Sequence, residues 1–317
     1  MEGDINGNAA RASSYAKVFH KVMQVFSPVG ILVQNNKSKT GFMLLIGIIV
    51  FSIAGIFYTP YNPNAYLFAR GMPPSSAHLL GTTAYGQDVF SELLSGGAPT
   101  LLVGFSVGLL GTLVAVIIGL LAGFSSDRTN SIINSVINIF LVIPGVLLIM
   151  LLGTFFLGIH QSLGYLSIML ILLVTGWAFG ARTFRSVTMS LAKRDFITSS
   201  RLIGESKFSI IFRQIIKVIF PVIVSNFFFT AMYGTMGLTF VEYLGVGNLL
   251  QVNWGTMLYW AINNEAYLTG LWWWILPPSI MISILMFSFI LMNFGMDEIA
   301  NPSLRRFKTK SKEQKHS

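Results

Sequence analysis

Six stretches of this chain contain no Lys, Arg, Asp, Glu or His: roughly residues 42–58, 100–124, 132–158, 163–181, 218–241 and 271–294. A helix needs about 20 apolar residues to cross a hydrocarbon layer, and each stretch reaches or approaches that length. Inside lipid the backbone has no water to bond, so a spanning segment must satisfy its own N–H and C=O groups as a helix. The composition agrees. Only 10% of the 317 residues are charged and 53% are hydrophobic, whereas a soluble domain carries about 25% charged residues. The chain has no cysteine, which removes disulfide staples, thiolate metal sites and cysteine nucleophiles. The expected fold is an all-α integral membrane protein with six transmembrane helices.

The basic residues test that model. The formal net charge is +9, which by itself could mean nucleic acid, an anionic surface or a topology signal. On the six-span reading, 20 of the 21 Lys and Arg fall on one side and Arg70 alone falls on the other. The positive-inside bias then makes both termini cytoplasmic and leaves no reason to expect a nucleic-acid partner. The organisation that follows is an N-terminal cytoplasmic segment over 1–41, and a first span with an external loop over 42–99. A core of five spans follows over 100–294, then a basic tail over 295–317. The first 14 residues are polar and do not resemble a cleavable secretion signal. Residues 15–33 mix Lys17, His20 and Lys21 with Phe19, Val22 and Phe26. That pattern fits either an amphipathic helix at the membrane surface or a partly ordered tail. In the third span Ile143-Pro144-Gly145 should kink or unwind the helix, and the turn at 160–162 should make a hairpin of spans three and four.

Eight of the basic residues lie in one loop, 182–217. Within it Asp195 is expected to cap a short helix over about 196–203, and Gly204 to end it in the left-handed conformation. A longer helical run starts near Glu205 and feeds the fifth span. Read without further comparison, this is either a functional element or a basic loop that only sets topology.

Four runs here resemble one family. Asp195-Phe196-Ile197-Thr198-Ser199-Ser200-Arg201-Leu202-Ile203-Gly204, then Ile210-Ile211-Phe212-Arg213-Gln214-Ile215 and Pro221, is similar to the EAA loop of binding-protein-dependent ABC importer permeases. The pattern is E-x-x-x-A-A-R-x-x-G followed by I-x-R-H-I-L-P, and the likeness is greatest to the C-type subunit of the dipeptide, oligopeptide and nickel branch. Ser199 and Ser200 replace the paired alanines, Gln214 the His and Lys217 the first Pro. The second run, from His78 through Gly81, Thr82, Thr83, Gly86, Gln87, Asp88, Val89 and Ser91 to Ala98, resembles H-x-L-G-T-D-x-x-G-R-D-V-x-S-R-L-x-x-G-A. Thr83 and Gln87 replace its Asp and Arg. Ile143-Pro144-Gly145 is the third, and Glu242 to Gly247 with Asn253-Trp254-Gly255-Thr256-Met257-Leu258 is the fourth.

The resemblance implies a subunit. The EAA loop would supply a coupling helix that docks on a cytoplasmic ATPase, with Asp195, Thr198, Ser199, Ser200, Arg201 and Gly204 carrying the coupling. Gly81, Thr82, Gly86, Asp88, Pro144 and Pro221 would hold the family's structural motifs. The implied partners are a homologous B-type permease, two ATPase subunits and an external solute-binding protein, in the inner or plasma membrane of a prokaryote. The implied cargo is peptide, with oligosaccharide or nickel as alternatives and a membrane scaffold as a more distant one. ATP and magnesium would sit on the partner ATPases. This chain has no G-x-x-x-x-G-K-[ST] loop to cradle a nucleotide, and no catalytic residues are expected in it.

No metal site is expected, because the four His stand apart at 20, 78, 160 and 316. Spans free of ionisable groups argue against ion-coupled transport or voltage sensing. A substrate path, if lined by span five, would use Asn226, Thr230, Tyr233 and Thr239; the alternative is that these bond neighbouring helices. Gly104, Gly108, Gly119 and Gly123 suit close helix packing within the subunit. Trp272-Trp273-Trp274 reads as an interfacial anchor.

Overall fold

The computed structural model describes residues 36–142, 145–158 and 164–300. The 15–33 segment, the Ile143-Pro144 pair, the 160–162 turn and the tail beyond residue 300 lie outside the described residues. Ten α-helices occur among the described residues: α1 Asn36–Phe57, α2 Val89–Phe124, α3 Asp127–Val142, α4 Gly145–Gly158, α5 Tyr165–Leu191, α6 Asp195–Leu202, α7 Lys207–Ile210, α8 Ile216–Tyr243, α9 Trp254–Asn263 and α10 Trp272–Ala300. A π turn, Ile211–Ile215, joins α7 to α8. No strand forms among these residues, only an isolated bridge between Thr82 and Asp88.

Two helices are longer than hydropathy alone indicates. The second begins at Val89, not near residue 100, because Asp88 caps it: its Oδ2 accepts from the Ser91 N–H at 2.8 Å. The segment 89–99 is therefore the first three turns of a 36-residue helix, hidden in the sequence by its polar and small residues. The last helix continues to Ala300. On either side of the Ile143-Pro144 pair, which lies outside the described residues, Asp127–Val142 of α3 and Leu147–Phe155 of α4 are bent by 76° to one another.

The crossings can be followed by which ends meet. At one face Gly123 of α2 packs on Thr188 of α5, and the Arg201 guanidinium of α6 lies 5.5 Å from the Phe124 ring. Lys37 at the start of α1 pairs with Glu298 near the end of α10 at 3.7 Å. Ser225, in the first half of α8, donates to Asp297 at 2.7 Å. At the opposite face α5 begins with Tyr165, whose hydroxyl reaches the Val252 carbonyl beside α9 at 3.5 Å. Since α2 ends on the first face and α5 starts on the second, the bent pair α3–α4 makes the crossing between them. Of the described Lys and Arg, only Arg70 lies on the second face. The faces are called here the basic face and the loop face.

Glycines set the closest approaches. At Gly104, Gly108 and Gly111 an added Cβ would overlap Thr235, Ala231 and Thr230 of α8, and at Gly119 it would overlap Phe184 of α5. Small residues let backbones come this near, which is how membrane helices gain packing energy without a hydrophobic driving force. The expected intrasubunit use of this stripe is what the structure has. Apolar clusters fill the remaining space: one between α1, α2, α9 and α10 around Trp254, Trp274 and Phe289, another between α2, α5 and α8 around Phe184, Ile215 and Ile219.

The tryptophan cluster departs from its expected anchoring role. Trp272 is exposed, but Trp274 is buried and Trp273 donates its indole N–H to the Thr82 carbonyl at 3.1 Å. On a helix these neighbours point about 100° apart, so three consecutive residues cannot share one membrane-facing side, and the 58–88 loop takes up the other two.

Candidate functional site

On the basic face, α6 is an eight-residue helix held from several directions. Its N-cap is Arg194, with extended backbone and no side-chain cap bond. Asp195, the expected cap, stands one position inside, in the first turn, where its charge complements the helix dipole. The C-terminal end matches expectation. Gly204 has φ +85°, its N–H donates to Arg201 O at 3.1 Å, and Glu205 N–H donates to Ser200 O at 3.0 Å. These crossed bonds satisfy the last carbonyls and require the left-handed residue between them.

Ile197 is fully buried among Phe184, Ile210, Ile215 and Ile219, and Ser200 is also buried. Gln214 of the π turn donates to Ser200 Oγ at 2.7 Å and to Glu205 Oε2 at 3.0 Å. Ser200 and Gln214, two departures from the EAA pattern, are thus bonded to each other. Thr198, Ser199, Arg201 and Gly204 face outward. Beside them Leu202 is 83% exposed, Ile203 77% and Phe208 70%. This apolar rim in a basic loop was missed in the sequence, although Leu202-Ile203 at the end of an otherwise polar helix is a visible signal.

Pro221 is buried in α8, six residues beyond the end of the π turn. A π turn widens a helix by one residue and often marks a functional position. Here it turns Gln214 toward α6.

On the loop face the second family-like run builds a compact knot. Asp88 binds His78 Nδ1 at 2.9 Å and accepts from Ser91 Oγ at 2.7 Å, with both members of the His–Asp pair buried. His78 is therefore structural, packed against Phe68 at 4.4 Å between ring centres. Thr82 Oγ1 donates to Ala69 O at 2.7 Å and accepts from Met72 N at 2.8 Å. Gly81 and Gly86 hold φ +68° and +87°, and at each an added Cβ would strike a carbonyl of the 58–88 loop. Thr83 and Gln87 also touch: Thr83 N–H donates to Gln87 O at 2.9 Å, and Gln87 N–H donates back to Thr83 Oγ1 at 3.1 Å. Gln87 Nε2 bonds Pro63 O at 3.1 Å. A third departure in this run escaped the sequence reading: Glu92 stands where the pattern has its second Arg.

The fourth run caps α9. Asn253 accepts from Gly255 and Thr256 N–H at 2.8 and 3.0 Å, and Thr256 Oγ1 accepts from Asn253 N–H at 2.9 Å. Asn253 Nδ2 also reaches the fully buried Glu242 at 3.3 Å.

The residues expected along a substrate path are engaged with neighbours. Asn226 Nδ2 donates to Thr112 Oγ1 of α2 at 2.9 Å and to Thr230 Oγ1 at 3.3 Å, and both Asn226 and Thr230 are buried. Tyr233 OH pairs with Thr175 Oγ1 of α5 at 2.6 Å, and Thr239 Oγ1 bonds Thr235 O at 2.9 Å. Among the described residues no group of three or more His, Cys, Asp or Glu could hold a metal.

Residues 115–306 match the family described as binding-protein-dependent transport system inner membrane component. The chain belongs to that family, and it is a multi-pass membrane protein. It is 27% identical over 277 residues to the dipeptide transport system permease protein DppC of Bacillus subtilis, covering 87% of this chain and 84% of that one. It is 26% identical over 301 residues to the oligopeptide transport system permease protein OppC of the same organism, covering 94% and 96%. Among solved structures, the inward-facing MetNI methionine ABC transporter shares the fold, with TM-score 0.52 and 19% identity over 67% of this chain and 95% of that one. A permease subunit of this family works with other subunits, and no catalytic role belongs to it.

Proposed function

We infer that this chain is one of two homologous membrane subunits of a prokaryotic, ATP-driven peptide importer. Its basic face is cytoplasmic and both termini lie on that side. A B-type permease completes the translocation path, two ATPase subunits hold ATP and magnesium, and a solute-binding protein delivers cargo to the loop face. The names of the DppC and OppC relatives support peptide as the cargo. The observation that carries the coupling role is α6 itself. One side of it is fixed by Ile197, Ser200 and the Arg201–Phe124 contact to α2, α5 and α8, while Leu202 and Ile203 stand bare toward the partner. A helix anchored on one side and apolar on the other is a lug that passes ATPase closure into the spans.

Asn226 serves this path as a tie that keeps α8 on α2, while Tyr233 and Thr239 are only half-buried. The experiment is reconstitution of the chain in proteoliposomes with a B-type permease, ATPase subunits and a solute-binding protein from the same organism. ATP-dependent uptake of a tripeptide is expected, abolished together with ATPase co-purification by Leu202→Asp with Ile203→Asp. Uptake without any ATPase subunit, or undiminished binding of the ATPase by the double variant, would overturn the reading.

A further inference from the structure

On the loop face a cavity of about 590 Å³ opens between the 58–88 loop, the first turn of α2 and the segment leading into α9. Tyr66, Tyr85 and Trp260 form an aromatic wall, with Tyr85 edge-on to Trp260 at 5.8 Å and to Tyr66 at 6.2 Å between ring centres. Val252 and Met257 add apolar surface. Glu92 also lines it. Its side chain is only 6% exposed, and Oε2 accepts no hydrogen bond among the described residues. Among the described residues no Lys, Arg or His lines the cavity.

A buried carboxylate oxygen without a donor is costly, and the cost disappears when a cation or donor enters. The nearby groups do not supply one. Asp88 is itself acidic, takes the Ser91 N–H of the first turn and is already paired with His78. Glu242, also buried on this face, receives Asn253 on Oε1 and leaves its own Oε2 without a partner among the described residues, but it does not line the cavity. The family-like pattern sharpens the point. At positions 83, 87 and 92 it has Asp, Arg and Arg, a net positive set, and here these are Thr83, Gln87 and Glu92, a net negative one. Gln87 and Glu92 both line the cavity, so its polarity is inverted relative to the pattern.

We propose that this cavity binds an ammonium group carried on a short apolar chain, with Glu92 as its counter-ion and Tyr66, Tyr85 and Trp260 as its wall. Aromatic faces and a desolvated carboxylate together favour alkylammonium over metal ions, which need more oxygen ligands than one carboxylate offers. The volume falls in the range of small-ligand sites. The amino terminus of a peptide and a lysine side chain of a docking protein carry this same chemistry.

The test uses the full-length chain with its co-purifying subunits in lipid nanodiscs, and n-butylammonium as the probe in titration calorimetry. Saturable binding is expected for the wild type, with none for n-butanol. Glu92→Gln, which keeps the shape and removes the charge, should weaken binding by about 10-fold or more. Tyr66 is 66% exposed, so Tyr66→Ala tests the wall without disturbing the buried carboxylate and should weaken binding by a few-fold. If acetylating the amino terminus of a tripeptide abolishes its own binding here, the peptide is the source. If instead acetylating the lysines of the binding protein abolishes docking, the lysine is. Absence of saturable butylammonium binding to the wild type would overturn the proposal, as would equal binding by the wild type, Glu92→Gln and Tyr66→Ala. The butylammonium arm does not depend on the importer reading, so either can fail alone.

Discussion

Gln214 donates to Ser200 at 2.7 Å, joining the π turn ahead of α8 to the inner side of α6. Both residues are departures from the pattern of this loop, and their contact means that the departures compensate one another locally. Where the pattern has alanine and histidine, this chain has a serine-and-glutamine bond that ties α6 to the span behind it.

That bond yields a coupling energy. Ser200→Ala should leave Gln214 with Glu205 alone and loosen α6 by about 1 kcal/mol, the net value of one hydrogen bond. Gln214→Ala should cost a similar amount. Because they share the bond, the double variant should lose less than the two singles added, by roughly 0.5 kcal/mol or more. Thermal unfolding of the purified subunit complex, run as a double-mutant cycle, measures this; strict additivity would show that the contact is energetically idle.

Gly204 offers a cleaner probe of the loop. Nothing lies within 4 Å of a Cβ built there, and φ is +85°. A substitution therefore meets no clash and acts through the backbone alone, at about 1–2 kcal/mol for an ordinary residue. Gly204→Val, β-branched and worse in this region, should raise the ATP hydrolysed per peptide transported several-fold. Gly204→Asn, which tolerates the left-handed region, should stay near the wild type. Wild-type stoichiometry in Gly204→Val would dismiss the idea that this turn transmits force.

The loop-face knot gives a stability prediction. Asp88 caps α2 and pairs with His78 with both side chains buried. Asp88→Ala should destabilise by about 3–5 kcal/mol, since it removes a cap and strands a buried partner. Asp88→Asn keeps an acceptor and should lose less. The order of the unfolding temperatures, wild type above Asn above Ala, is the readout.

Thr83 and Gln87 make a second cycle. Thr83 is fully buried, so Thr83→Asp alone introduces an unpaired buried charge and should destabilise by several kcal/mol. Combining it with Gln87→Arg restores the pattern's opposite charges at contacting positions and should recover most of the loss. If the double variant is no more stable than Thr83→Asp, the two positions are not an exchangeable pair.

Much of this architecture is legible in the sequence, and the reason is physical. Charge-free runs reveal spans because lipid permits little else, and Gly204 reveals its turn because few other residues hold that φ. Tertiary choices are not legible in the same way. Asp195 moved from cap to first turn because the preceding Arg194 adopted the extended backbone. Trp274 was buried and Trp273 bonded to Thr82 because a loop some 190 residues earlier folds over them. By hydropathy Glu92 falls among the acidic residues of the external loop, where it could contact a binding protein; the helix that Asp88 caps puts it instead in a first turn facing a cavity.

The glycine stripe on α2 has a kinematic consequence. Gly104, Gly108 and Gly111 receive α8 while Gly119 and Gly123 receive α5, all at spacings that a single methyl group would violate. Sliding either neighbour along α2 by even half a turn would drive larger side chains into those notches. The three helices must therefore tilt as one spar when the subunit changes conformation. The bent α3–α4 pair is fastened to that spar by other means: Arg182 and Arg185 of α5 donate to Asn138 and Asn130 of α3, and a Cβ added at Gly145 of α4 would meet the Tyr233 hydroxyl of α8.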